Sequence, residues 1–206
     1  MKLKMILKVC GLNDMKNINQ LNKVDIDFMG FIFYNKSSRF INQHLNISNL
    51  TKQKVGVFVN ESLENIKKKI KDYNLNYVQL HGDETPKFCK ILMNFCKVIK
   101  AFRIYENFDM DNTHRYTNCC DLFLFDTFSK NFGGSGKKFD WNKIRNFKNK
   151  KFLLSGGIDV ESVNQINDLK NENEFLIGVD INSKFEISPG LKDINKINTF
   201  LKKLNK

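Results

Sequence analysis

The chain has 206 residues, and 34 Lys and Arg against 22 Asp and Glu leave a formal charge of +12. Hydrophobic residues make up 41% and aromatic residues 12%, enough for a sizeable core in one domain, and no apolar run approaches the length of a membrane span. The lysines are scattered rather than gathered into one stripe, which argues against a nucleic-acid-binding surface and leaves solvated faces whose field can steer an anionic substrate.

The opening, MKLKMILKVCGL, has an apolar stretch too short for a signal core and no small-residue cleavage site, so ILKVCG from Ile6 reads as a first buried strand. FMGFIF from Phe28 and KVGVFVN from Lys54 repeat the pattern, with residues 42–53 between them barely long enough for a helix. Leu63, Ile66, Ile70 and Tyr73 then fall three or four apart behind Asn60, the expected helix cap. YVQLHG from Tyr77 is the fourth strand. Thr85-Pro86 follows as a cap with a first-turn proline, and Phe88, Ile91, Leu92 and Phe95 line one helix face. The later runs are VIKAFRI from Val98, LFLFDT from Leu122, FLLSGG from Phe152 and FLIGVDI from Phe175. Residues 105–118 lack helical patterning. Asp159 precedes Val160, Val163, Ile166 and Leu169, and Ile194, Ile197, Leu201 and Leu204 make a last helix.

Runs that are apolar throughout belong to a parallel sheet covered by helices. A doubly wound open sheet would give the same alternation. Eight spaced runs, no G-x-G-x-x-G after the first, and no linker favour a single α/β domain over residues 1–206, a (β/α)8 TIM barrel. In such a barrel the chemistry lies where polar residues end the strands: Cys10, Arg39 just beyond the second, Asn60, Gln79 with His81, Arg103, Asp126, Gly156 with Gly157, and Asp180. SGGI and GVDINS close the last two strands, where backbone N–H groups commonly hold a phosphate. Asp126 ends a strongly apolar strand, a setting that raises a carboxyl pKa and suits a general acid; a helix cap or salt-bridge partner is the competing reading. Cys10 is either a small buried hydrophobe or a thiolate base. His81 reads either as a structural histidine or as a site residue. TFSKNFGGSGKKFDW, residues 127–141, resembles a mobile lid and does not match a Walker A loop.

Five Cys without a C-x-x-C pair, two of them adjacent at Cys119 and Cys120, argue against a zinc ribbon or a disulfide framework and fit a reducing, cytoplasmic setting. No two His fall at metal-ligand spacing, so no metal is expected.

KVCGL, GFIFYNKSSRF, KVGVFVN, VQLHGDE, LFDT followed by FGGSGKKFDW, LLSGGI and GVDINSKFEISPGLKD together resemble the signature segments of the phosphoribosylanthranilate isomerases of tryptophan biosynthesis. They run in the family's order from Val9 to Asp193. The resemblance implies an Amadori rearrangement of N-(5′-phosphoribosyl)anthranilate without metal or organic cofactor, in a monomer or homodimer. It implies Cys10 as general base, Asp126 as general acid, Arg39 on the anthranilate carboxylate, and Gly156, Gly157, Asn182 and Ser183 on the phosphate. Gln79, His81 and Asp180 complete the expected substrate site. Two departures stand out: the second helix is shorter than in many members, and Asn182 replaces a small hydroxyl residue. The rival barrels differ at their strand ends. An indole-glycerol-phosphate synthase would offer a lysine and glutamates, and a histidine-pathway sugar isomerase paired aspartates, where this chain has Cys10.

Overall fold

A computed structural model describes residues 4–128 and 138–204. Eight strands form one closed ring: β1 (Ile6–Cys10), β2 (Phe28–Ile32), β3 (Gln53–Phe58), β4 (Tyr77–Leu80), β5 (Lys97–Ile104), β6 (Leu122–Thr127), β7 (Phe152–Leu154) and β8 (Leu176–Ile181). All neighbours are parallel and in chain order, and β8 pairs with β1 to leave no edge. Each of the eight expected runs is one of these strands.

The helices are α1 (Met15–Leu21), α2 (Leu63–Tyr73), α3 (Pro86–Leu92), α4 (Val163–Glu172) and α5 (Ile194–Leu204). Between β5 and β6, and between β6 and β7, 3-10 turns at Met110–Tyr116 and Trp141–Ile144 take their place. Residues 42–53 form no helix; Ile41, Leu45 and Ile47 are buried from an irregular segment and cover that flank of the barrel instead. After β8 comes a two-stranded hairpin, β9 (Glu186–Ser188) and β10 (Leu191–Lys192), which the sequence pattern did not announce. Among the described residues no helix is long and apolar enough to cross a membrane.

Two helix expectations need correction. Ser62, not Asn60, caps α2, its side chain accepting from the Asn65 N–H. Asn60 instead sits at φ +50° and accepts the Asp83 N–H, tying the β3 and β4 loops together. In α3, Thr85 caps as expected, but the buried positions are Cys89 and Leu92. The helix ends at Leu92, so the expected face breaks up and Ile91 and Phe95 are left exposed. Asp159 and Ser162 form a capping box before α4.

Because side chains alternate along a strand, each strand feeds two layers. The outward layer packs under the helices, and there Phe125 meets Phe147 and Phe152 at 5.0 and 5.1 Å between ring centroids. Phe102 and Phe123 join this group edge-on at 4.8 Å, which is where much of the Phe excess is placed. The inward layer is a separate apolar plug made of Phe28, Val55, Ile99, Ala101, Leu122, Leu124 and Leu153. Above this floor the same inward positions turn polar. Reading up β1 gives Ile6, Lys8 and Cys10; up β6, Leu122, Leu124 and Asp126.

Candidate active site

The inward positions above the floor open into a cavity at the C-terminal mouth, and all ten expected site residues line it. Cys10 ends β1, with β8 and β7 between it and Asp126 on β6, so the two stand on different sides of the mouth. Gly30 on β2 gives Cys10 room: a Cβ there would lie 2.7 Å from the sulfur. Burial pushes the Cys10 thiol up, and the nearby Lys8 and Lys192 pull it down. It is therefore not a free-solution thiol.

Lys8 is fully buried beneath Cys10. Its Nζ donates to Asp180 Oδ1 at 2.8 Å, and the two residues are register partners across the β1–β8 seam. Ser155 Oγ donates to the other Asp180 oxygen at 3.3 Å. Asp180 thus borders the cavity while its carboxylate is committed to Lys8.

The surroundings of Asp126 are less apolar than its strand implied. Oδ1 accepts the Thr127 N–H at 2.8 Å, and His81 Nε2 lies 3.2 Å from Oδ2. Gln79 Nε2 donates to His81 Nδ1 at 2.7 Å, which leaves the neutral ring's proton on Nε2, facing Asp126. His81 therefore belongs to the site rather than to the core. Gln79 Oε1 is buried and, among the described residues, has no hydrogen-bond partner, an acceptor awaiting a donor.

Next to Asp126 on the rim, Gly156 (φ +89°) and Gly157 (φ +64°) follow β7, and Ser183 begins a 3-10 turn, Ser183–Phe185, after β8. Among the described residues none accepts the N–H of Gly156, Gly157 or Ser183. A Cβ on Gly156 would lie 2.3 Å from Thr127 Oγ1, so only glycine lets this loop fold down beside β6. Unpaired N–H groups converging from two adjacent loops suit an anion.

The Arg39 guanidinium does not stand open: Nε lies 2.9 Å from Glu186 Oε1, and Nη2 lies 2.7 Å from Oε2. Asn182 is likewise committed through its side chain, whose Oδ1 accepts Lys192 Nζ at 2.7 Å. Arg103 lies outside this cavity; it pairs with Asp83 at 2.6 Å and lines a second hollow. The core of the expected lid, residues 129–137, lies outside the described residues. Sequence reasoning missed Lys8, Ser155, Glu186 and Lys192. For Lys8 the signal was present, a lysine at an inward position of an apolar strand; for Glu186 and Lys192 it was absent, because the hairpin that carries them was not foreseen.

A closed parallel ring with its polar residues gathered at the C-terminal mouth defines a (β/α)8-barrel enzyme. The family model described as N-(5′-phosphoribosyl)anthranilate (PRA) isomerase matches residues 7–203. An N-(5′-phosphoribosyl)anthranilate isomerase of Parabacteroides distasonis is 41% identical over 208 residues, covering 97% of this chain and 93% of the relative. The phosphoribosyl anthranilate isomerase structure of Thermotoga maritima superposes with a TM-score of 0.82 at 32% identity, covering 98% of each chain. A second isomerase structure, in complex with reduced 1-(o-carboxyphenylamino)-1-deoxyribulose 5-phosphate, gives a TM-score of 0.79 at 29% identity, again over 98% of each chain. The chain belongs to the phosphoribosylanthranilate isomerase family.

Proposed function

We propose that the chain, as one catalytic domain, isomerises N-(5′-phosphoribosyl)anthranilate to 1-(2-carboxyphenylamino)-1-deoxyribulose 5-phosphate in tryptophan biosynthesis. The observation that carries this reading is the placement of a thiol and a carboxyl on separate sides of one cavity, with unpaired N–H groups at a third point of its rim. Asp126 delivers a proton to the furanose ring oxygen, the C1′–O bond breaks, and the nitrogen lone pair forms an iminium at C1′. Cys10 as thiolate takes the C2′ proton, and those electrons neutralise the iminium to an enolamine. The enolamine then tautomerises, C1′ gaining a proton and C2′ becoming the ketone. Neither group alone reaches both positions, which is why an acid and a base on separate strands suit the reaction.

Lys8 and Lys192 favour the thiolate against the burial that opposes it, and the iminium adds a transient cation beside the sulfur. His81, held by Gln79, orients the Asp126 carboxyl. The vacant Gln79 Oε1 suits a ribose hydroxyl. Gly156, Gly157 and Ser183 supply N–H groups for the phosphate, and the end edge of Arg39 faces the anthranilate carboxylate. A monomer or homodimer in the cytoplasm fits this role. The test is turnover: purified protein mixed with freshly made N-(5′-phosphoribosyl)anthranilate should discharge the substrate's anthranilate-type fluorescence, and no acceleration over buffer would reject the assignment.

A further inference from the structure

Glu186 takes no part in the chemistry above and Lys192 only a distant electrostatic one, yet both are almost wholly buried immediately behind the site. Their side chains are 5% and 0% exposed, and the Glu186 carboxylate serves two cations at once. Oε1 accepts from Arg39 Nε at 2.9 Å and from Lys192 Nζ at 2.7 Å, and Oε2 accepts from Arg39 Nη2 at 2.7 Å. Lys192 is held on its far side by Asn182 Oδ1 at 2.7 Å, and Asn182 itself lines the cavity. The Gly190 N–H also donates to Glu186 Oε1, at 3.1 Å, so the hairpin's own turn fixes the carboxylate. Gly11, at φ +79°, lies beneath the Arg39 stem, where a Cβ would be 2.6 Å from Arg39 Cδ.

The consequence is directional. A guanidinium has a side edge, Nε with Nη2, and an end edge, Nη1 with the second Nη2 proton. Glu186 occupies the side edge completely. Among the described residues the end edge meets no carboxylate, and only the Ser38 hydroxyl lies near it, at 3.4 Å from Nη1. An exposed arginine has many rotamers to lose on binding; this one has been fixed beforehand.

We propose that Glu186, braced by Lys192, is a positioning residue that presents the end edge of Arg39 to the substrate's aromatic carboxylate, making the β9–β10 hairpin the specificity element for that half of the substrate. This rests on the isomerase reading of the cavity. A competing effect has the opposite sign: Glu186 is an anion near an anion site, so its removal could by charge alone tighten carboxylate binding. Glu186→Asp separates the two, because it keeps the charge and withdraws the oxygens by one methylene.

The probes are the reduced carboxyphenylamino deoxyribulose phosphate and its phenylamino counterpart without the carboxylate, with binding of each measured by calorimetry. The ratio of the two affinities reads the carboxylate subsite alone. Both Glu186→Asp and Glu186→Gln are expected to lower that ratio by roughly tenfold, the scale of one charge-assisted hydrogen bond. Binding of the phenylamino compound should stay within about twofold, with KM for the natural substrate raised and kcat nearly unchanged. In an Arg39→Ala background neither substitution should change the ratio further. An unchanged or increased ratio in Glu186→Asp overturns the proposal, as does a wild-type protein that fails to distinguish the two compounds. A wild type that distinguishes them but does not turn over substrate rejects the isomerase reading and leaves the positioning role standing. If Glu186→Gln unfolds, because it leaves Lys192 without its carboxylate, Glu186→Asp still decides.

Discussion

Cys10 and Lys8 stand two residues apart on the same face of β1, so the ammonium lies under the thiol for reasons of strand geometry alone. Burial raises the thiol and Lys8 is the largest influence lowering it. Replacing the lysine by an uncharged residue should therefore slow alkylation of Cys10 by iodoacetamide at pH 8, because less of the thiol is then thiolate. The background is favourable, since burial pushes Cys89, Cys96 and Cys120 up to about 12. Mass mapping of the alkylated peptide in Lys8→Met gives the rate, and an unaltered rate would separate Lys8 from the base. For the reaction itself, Cys10→Ala and Asp126→Asn should each lower kcat by roughly two to four orders of magnitude, with KM little changed because neither group anchors the phosphate or the carboxylate. A Cys10→Ser protein with near-normal kcat would return Cys10 to a packing role.

At the scale of elements, the β7 loop holds its glycines at positive φ, a region other residues enter only with strain. Gly157→Val should raise the Kd for inorganic phosphate and for phosphorylated ligands by at least tenfold, by calorimetry, while the barrel's circular dichroism is retained. Phosphate affinity that survives the substitution would move the anion site elsewhere. The strands were legible because each apolar run is one buried strand, and the site residues because the last inward position of several strands faces the mouth. Cys10, Asp126 and Gln79 were found in that way. What escaped depends on contacts far apart in the chain. Nothing near Arg39 in sequence announces its partner Glu186, which lies 147 residues on. Asn60 reads as a cap because it precedes a helical pattern; Ser62 lies nearer the first turn, and Asn60 is used to bind another loop. The missing helix after β2 left only a weak pattern, and its absence follows from three apolar residues reaching the barrel without it.

At the scale of the molecule, charges buried inside the fold govern its response to pH. Glu186 is held below the usual 4.5 by Arg39 and Lys192 against its burial, so it stabilises the fold above that value and the contribution is lost as pH falls through the lowered folded value. Lys192 runs the other way: burial lowers it from 10.5 to about 8, so between those values the unfolded chain holds a proton that the folded chain has released, and this residue's contribution rises with pH. Thermal melts should show an acid-side loss below about pH 4.5 that is shallower in Glu186→Gln. The Lys8–Asp180 pair lies deeper. Lys8→Met alone should cost about 3–5 kcal/mol by stranding Asp180, whereas Lys8→Met with Asp180→Asn should recover part of it, as urea denaturation would show. A double variant no more stable than the single would mean that the two charges are not coupled.

The same pair has a meaning for how the protein is made. Lys8 leaves the ribosome 172 residues ahead of the carboxylate that neutralises it. Until β8 has been synthesised, any attempt to fold the first strand inward must bury an uncompensated ammonium, so a half-made chain has no favourable closed state. Contacts this distant in sequence also form slowly. The seam between first and last strand thus ties closure to completion: a product interrupted before Leu176 is expected to be cut by protease within its first strand faster than the chain that carries both partners.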